Sequence, residues 1–186
     1  IELDTVDKYN KFFGVETYHP MVTVVDLSKI TQPAQPFTIN YGIYALFLKD
    51  TLCGDITYGR QPYDYQEGTI VCFAPGQVAS IHAQEGTRPT GYGLLFHPDL
   101  IHGTQLGHDI RNYSFFSYEA REALHLSEEE RHTVIDCLHK IDTELRRPAD
   151  KHSRRLITAN IELLLDYCMR FYERQFTLQQ GHHRTL

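Results

Sequence analysis

Apolar and polar residues follow two different periods along the chain, and the period changes near residue 97. Before that point, short runs rich in Val, Ile, Thr, Tyr and Phe are separated by Gly, Pro and Asp. Several such runs with turn residues between them are typical of the strands of a β-sandwich or β-barrel. We predict strands over residues 21–27, 37–49, 54–58, 61–65, 69–74, 77–83 and 91–97.

Glycine-containing turns separate several of these strands. Gly59 lies between two of them, where glycine adopts a positive φ at little cost. Gly68 and the pair Pro75-Gly76 flank residues 69–74, a run with no charged residue. Because its apolar middle is unbroken, we predict that this strand is buried on both faces.

Two helices are predicted after residue 126. The first begins at Ser127, and Glu130, three residues later, completes a capping box in which each side chain accepts a hydrogen bond from the backbone of the other residue. Pro148 stops this helix. The second covers about residues 153–176, and the short linker between the two favours an antiparallel hairpin.

The second helix carries two apolar stripes and therefore has to bury two faces. The smaller stripe is Leu156, Leu163 and Tyr167. One face can pack on the first helix, and we predict that a second copy of the chain covers the other; packing against the strands is the alternative. The predicted dimerisation residues form the larger stripe: Ile157, Ile161, Leu164, Cys168 and Phe171.

Composition narrows the class of protein. The chain has 186 residues, of which 41% are hydrophobic, enough for one core with a helical appendage. Its net charge of −6 opposes binding of nucleic-acid phosphates by this chain alone. We recognise no signal peptide or membrane-spanning run. We expect a cytoplasmic protein with reduced, buried thiols, since no C-x-x-C pair occurs among Cys53, Cys72, Cys137 and Cys168.

Two stretches resemble known families. Residues 54–83 resemble the core of a cupin barrel, in the hairpin around Gly59, the sequence Tyr63-Asp64-Tyr65, Gly68 before a buried strand, and Pro75-Gly76. Residues 94–126 contain the segments LLFHPDLI and FFSYEA. Followed by the two-helix pattern, they are similar to AraC-type transcription regulators of the Bacteroidetes kind. The resemblance covers residues 20–180 approximately.

The resemblance implies a mainly β protein with added helices: a cupin-like β-barrel (double-stranded β-helix) followed by a two-helix antiparallel hairpin. The implied segments are an N-terminal arm (1–20), a ligand-sensing barrel (21–97), a connecting segment (98–126), a dimerisation hairpin (127–176) and the start of a linker (177–186) to a DNA-binding domain that we expect outside this sequence. In such regulators the arm can close over the ligand or contact the DNA-binding half; its residues here fit a free arm and a packed arm equally.

The expected function is sensing of a small-molecule effector by a homodimer that is not an enzyme, needs no cofactor or metal, contacts no membrane and reaches DNA only through the absent domain. The alternative is a metal-dependent cupin enzyme, an isomerase or dioxygenase. Such a site needs about three protein ligands, yet residues 37–44 contain neither His nor acid, and Ala79 occupies the position of a later ligand. A third hypothesis is a dimerisation module whose barrel is filled by side chains.

Aromatic residues are the candidate ligand contacts, since the chain has 12 Tyr and 10 Phe. A tyrosine in a cavity provides an apolar wall and a hydroxyl group, whereas ordinary core packing is the alternative for each. Strand alternation leaves open which face each side chain joins. The predicted ligand-binding residues are Tyr41, Tyr44, Tyr58, Arg60, His82 and Tyr92. By contrast, His97, His102 and His108 match no single face of a helix or strand and are expected on a surface turn.

Overall fold

The structure is a computed structural model that describes residues 1–31, 33, 35–50, 55–58, 61–63, 68–82, 89–116 and 123–184. Within these ranges the chain forms strands β1 (Glu2–Leu3), β2 (Val22–Asp26), β3 (Phe37–Tyr41), β4 (Tyr44–Lys49), β5 (Asp55–Tyr58), β6 (Gln61–Tyr63), β7 (Thr69–Phe73), β8 (Val78–His82), β9 (Gly91–Phe96) and β10 (Leu124–His125). The α-helices are α1 (Val6–Phe13), α2 (Pro98–Ile101), α3 (Gln105–Asp109), α4 (Glu128–Arg146) and α5 (Ser153–Arg184).

The strands form two sheets. The first has the order β1-β3-β8-β5-β6 and the second the order β10-β7-β4-β9-β2. Every pairing is antiparallel except that of β1 with β3. No strand pairing joins the two sheets among the described residues, so the architecture is a mixed α/β fold with two sheets. Because α5 alone contains 32 residues, helix contributes more than a mainly β fold implies.

The second sheet lies between two apolar cores. One core is shared with the first sheet and contains Ile39 of β3 and Ala79 of β8. The other lies between the second sheet and the helices α4 and α5. Strand β7 contributes to both, since Val71 and Phe73 face the first core, and Ile70 and Cys72 face the second. The prediction that this strand is buried on both faces is confirmed.

The predicted strand over residues 37–49 is two strands in different sheets, β3 and β4. The chain changes sheet at Gly42, whose backbone N–H donates to the carbonyl of Leu3 at 2.9 Å. A Cβ on Gly42 would lie 2.6 Å from that of Asp4. The absence of a side chain therefore lets the N-terminal segment pass close to this corner. A hydrophobic pattern does not reveal such a corner, because the apolar residues continue through it.

The N-terminal segment is packed, which resolves the two possibilities that the sequence left open. Strand β1 pairs with β3, and Thr5 caps α1 by accepting a hydrogen bond from the backbone of Lys8 at 3.1 Å. Val6, Tyr9 and Phe13 of α1 are buried in the core between the sheets.

Helices α4 and α5 form the predicted hairpin. The capping box is confirmed, with Ser127 and Glu130 exchanging hydrogen bonds of 2.9 and 3.2 Å. Arg174, near the end of α5, pairs with Glu130, near the start of α4, at 2.8 Å, which shows that the two helices run antiparallel. Helix α5 continues to Arg184, so residues 177–184 are helical where the sequence predicted the start of a linker.

Candidate functional site

A small chamber lies between the two sheets beneath α1. Its volume is about 30 Å³. Its walls are mainly aromatic and aliphatic, with one ammonium group among them. The lining residues are Tyr9, Phe13, Leu27, Ile30, Tyr41, Phe47, Lys49, Phe73, Ala79, Ile81 and Pro89.

Aromatic rings pack against one another across this chamber. Tyr41 stacks on Phe73 with ring centroids 4.8 Å apart, and Phe47 meets Phe73 edge-on at 6.1 Å. Tyr9 of α1 reaches down to within 6.4 Å of the Phe47 ring. Burial raises the pKa of Tyr9, because its phenolate would have no water around it. The chamber is therefore an apolar space in which a charged group experiences a low dielectric.

Lys49 introduces positive charge at this space. Its side chain extends from the end of β4, the residue is only 7% exposed, and its Nζ lies 5.7 Å from the centroid of the Phe47 ring. The ring face attracts the ammonium group. A ligand with a carboxylate or another anionic group would interact favourably with this lysine.

Helix α1 contributes Tyr9 and Phe13 to the chamber and is held in place by a polar network around Asn10. Asn10, fully buried, donates from Nδ2 to the hydroxyls of Thr17 at 3.1 Å and Thr23 at 3.2 Å. Thr17 in turn donates to Asp7 at 2.9 Å. The Oδ1 atom of Asn10 is buried and accepts no hydrogen bond within the described part of the chain. The polar contacts that hold α1 in place therefore leave one buried oxygen atom without a hydrogen bond among the described residues.

The structure separates the predicted ligand-binding residues. Tyr41 lines the chamber. Tyr44 and Tyr92 point to the opposite face of the second sheet, where Tyr44 stacks on Phe96 at 5.1 Å and Tyr92 contacts His139 of α4 at 5.9 Å. Neither of these two tyrosines lines the chamber, and their role in ligand binding stays a prediction.

The other three predicted ligand contacts lie outside the described side chains. Tyr58 is on β5 and His82 on β8, and only their backbones are described. Arg60 lies outside the described residues altogether. Their roles stay predictions.

Sequence reasoning missed Phe47 and Lys49, although the signal was present. Side chains in a strand alternate between faces, so Ala45, Phe47 and Lys49 share one face of β4 and Tyr44 lies on the other. A lysine that ends an apolar strand, in phase with its inward residues, marks a buried cation. The contribution of Tyr9 and Phe13 was missed because α1 was not predicted.

The predicted dimerisation stripe is buried within the single chain. Its members pack in the core between the second sheet and the helices and are between 0% and 8% exposed: Ile157, Ile161, Leu164, Cys168 and Phe171. These side chains are not available to a second copy, because the chain itself covers them. The smaller stripe is the one at the surface, with Leu156 46% and Leu163 42% exposed.

The buried thiols agree with the sequence in the part of the chain that is described. Cys72, Cys137 and Cys168 are free and buried. Burial raises the pKa of Cys72 and of Cys168, which keeps both as neutral thiols. No group of three His, Cys, Asp or Glu side chains suited to a metal ion occurs within the described ranges. None of the described helices is both long enough and apolar enough to cross a membrane.

No protein-family profile matches the chain, and no curated protein matches it. A functional assignment therefore depends on the geometry described above and on the resemblance seen in the sequence.

Proposed function

We propose that this chain is the effector-sensing and dimerising part of a cytoplasmic AraC-type transcription regulator, with the two sheets forming a cupin-like sensor. The observation that carries the proposal is the chamber between the sheets, where aromatic walls surround the buried ammonium group of Lys49. Apolar walls with one charged group are the chemistry by which proteins recognise small organic molecules. DNA contact belongs to a domain outside this sequence.

The size of the chamber makes α1 the element that responds to the effector. A volume of about 30 Å³ is close to the share of one water molecule in the liquid, whereas ligand sites usually measure roughly 300 Å³ or more. A metabolite therefore needs the chamber to widen, and we infer that it does so when α1, with Tyr9 and Phe13, moves outward. A ligand that binds the open state more tightly than the closed state shifts the population towards it.

Dimerisation is assigned to the exposed stripe of α5. Leu156 and Leu163 lie seven residues apart on one face of the helix, and Tyr167 continues that face. Apolar residues at this spacing are typical of a helix that pairs with another helix. The second copy thus contacts the stripe that the chain leaves uncovered.

The function is tested by thermal unfolding in the presence of small carboxylates, sugars and divalent metal ions, each with and without a chelator. A ligand at about 100 times its Kd adds roughly 2.7 kcal/mol, which raises the Tm by several degrees. We expect stabilisation by an organic carboxylate, independent of the chelator. Lys49→Met should abolish that shift, and Lys29→Met, which removes an exposed charge, should leave it unchanged.

Two other outcomes would contradict the sensor. Stabilisation by a metal ion that the chelator reverses would favour the metal-dependent cupin enzyme. No stabilisation by any compound, together with a stable dimer, would favour a dimerisation module with a filled interior. The small volume of the chamber is the specific observation in favour of that second candidate.

A further inference from the structure

A second, larger cavity lies on the other side of the second sheet. It is an open cleft of about 600 Å³ between Tyr44 and the segment that follows β9. It shares no lining residue with the chamber. The lining residues are Tyr44, Pro98, Ile101, His102, Gly103, Thr104, Gln105, Gly107, His108, Ile110 and Arg111.

The cleft has a rigid frame. Arg154 of α5 donates hydrogen bonds to the backbone carbonyls of Asp99, Leu100 and His102, at 2.9 to 3.1 Å, and so holds the end of α2. The hydroxyl of Tyr113, just beyond the cleft, donates to Asp166 of α5 at 2.6 Å. The segment that lines the cleft is therefore tied to α5 from both of its ends.

Close backbone packing completes this frame. Thr104 caps α3 by accepting a hydrogen bond from the backbone of Gly107 at 3.1 Å. A Cβ on Gly107 would overlap the carbonyl oxygen of Ile101. The turn between α2 and α3 thus holds its shape without a ligand, which reduces the entropy that a ligand has to lose on binding.

The side chains of the cleft combine cationic groups with an apolar wall. Arg111 is exposed and has no carboxylate partner within the described part of the chain. Arg111 and Tyr44 both line the cleft. Burial raises the pKa of Tyr44, and the positive charge of Arg111 acts in the opposite direction. His102 and His108 add two imidazoles to the same wall.

Asp109, next to the cleft, is paired with two of the lining residues. Asp109 is not a lining residue; it accepts a hydrogen bond from Gln105 at 2.7 Å and lies 3.8 Å from His108. The lining therefore contains one arginine and two histidines but no carboxylate, in a chain whose net charge is −6. The guanidinium of Arg111 places a positive charge in this lining, which favours an anion.

We propose that this cleft is a second ligand site, which binds a small organic anion with a carboxylate or phosphate group on a flat apolar body. Arg111 and the Tyr44 hydroxyl bind the anionic group, since a guanidinium forms paired hydrogen bonds with either kind of oxyanion. The apolar body lies on Tyr44, Ile101 and Pro98. The volume of the cleft falls within the range of about 300–1,000 Å³ that is usual for small-molecule sites.

The test is isothermal titration of the intact chain with four probes: phenyl phosphate, benzoate, benzyl alcohol and inorganic phosphate. We expect one of the two aromatic anions to bind with one site per chain, and whichever binds more tightly identifies phosphate or carboxylate as the recognised group. Benzyl alcohol, which lacks the charge, should bind at least about tenfold more weakly. Inorganic phosphate, which lacks the apolar body, should also bind more weakly.

Three variants locate the site. Arg111→Gln should weaken binding about tenfold or more, and Tyr44→Phe should weaken it severalfold while keeping the stacking on Phe96. Lys140→Gln removes a positive charge from an exposed position on α4 and should leave binding unchanged. Hydrogen exchange should slow in residues 98–112 when the probe is present.

The outcomes separate this site from the chamber. Binding that persists in Lys49→Met and is lost in Arg111→Gln supports the cleft. Binding that is lost in Lys49→Met and unaffected by Arg111→Gln places the anion in the chamber and overturns the cleft proposal, while leaving the sensor proposal intact. Equal binding of benzyl alcohol, or binding of none of the probes, also overturns it.

Discussion

At the scale of single residues, the side chains on the two faces of β4 line two different cavities. Phe47 and Lys49 point between the sheets, whereas Tyr44 points towards the open cleft. Alternation predicts which side chains share a face. It does not predict which face meets the other sheet, because both faces of β4 are apolar. For this reason the sequence predicted Tyr41 and Tyr44 as ligand contacts without separating them, whereas in the structure they line two different cavities.

Buried Asn10 is expected to stabilise the packed position of α1. Asn10→Ala removes two hydrogen bonds from a fully buried site and should lower the free energy of unfolding by about 1–3 kcal/mol. Asn160→Ala is the matched control, because its amide donates only to the carbonyl of Leu156 on a partly exposed face of α5. Urea denaturation measures both. Equal effects of the two variants would show that the network around Asn10 does not hold the helix.

Tyr9 is expected to make the protein sensitive to alkali. Its pKa is raised in the folded chain by burial, whereas the unfolded residue ionises near pH 10. The folded state therefore holds its proton above pH 10 while the unfolded state releases it, so the stability that depends on neutral Tyr9 is complete below pH 10 and falls as the pH rises further.

Urea denaturation between pH 8 and pH 11 measures this effect. The free energy of unfolding should fall above pH 10, and Tyr9→Phe should make that fall less steep. Tyr18→Phe, at a tyrosine that is 46% exposed, serves as the control and should leave the profile unchanged. An identical pH profile for Tyr9→Phe and the parent chain would mean that Tyr9 is hydrated in solution, and hence that α1 does not cover it.

At the scale of secondary-structure elements, the sequence predicted those helix and strand ends that are set by residues close to them in the chain. The capping box at Ser127, the proline after α4 and the turn residues around β7 each act over a few residues, and the elements that they delimit are present. Helix α1 was missed because it has only eight residues and follows a strand of two. Its apolar positions, Val6, Tyr9 and Phe13, follow helical spacing, but so short a helix is stable only through its packing on the sheets.

The sequence also predicted two apolar stripes on α5, but periodicity does not show which of the two faces the core. The stripe that faces inward is fixed by the position of α4 and the second sheet, which sequence spacing does not contain. Two adjacent residues distinguish the stripes experimentally, since Leu164 is 0% exposed and Leu163 is 42% exposed.

Truncation of these two leucines should therefore have unequal effects. Leu164→Ala leaves a cavity in a closely packed core and should lower the free energy of unfolding by about 2–5 kcal/mol. Leu163→Ala, one position earlier, should change the stability of the isolated chain by less than about 1 kcal/mol, because surface substitutions have small effects. Denaturation at low protein concentration measures both. If Leu163→Ala were the more destabilising variant, α5 would have to be rotated relative to the structure described here.

At the scale of the whole molecule, the described chain has three layers, which are the first sheet with α1, the second sheet, and the helical hairpin. The first sheet and α1 close the chamber, the second sheet separates two cores, and the helical hairpin covers the far side of the second sheet. Sequence reasoning predicted strands first and a hairpin afterwards, which is the order observed. It did not predict that the segment after β9 would form the cleft, because that segment takes its shape from Arg154, 52 to 55 residues further along the chain.

The layered arrangement also determines where a second copy can bind. The exposed stripe of α5 lines neither cavity, so two chains can pair through it without occupying either of them. Leu156 and Leu163 lie there, and the double variant Leu156→Glu with Leu163→Glu should yield a folded monomer, because glutamates on both chains would repel each other across the interface. Light scattering after size-exclusion chromatography measures the mass, and circular dichroism checks the fold. Val78→Glu is the control, since Val78 is 45% exposed on the first sheet, and it should leave the dimer intact. A dimer that survives the double leucine variant would separate dimerisation from the exposed stripe of α5, and a dimer that dissociates in Val78→Glu would move the interface to the first sheet.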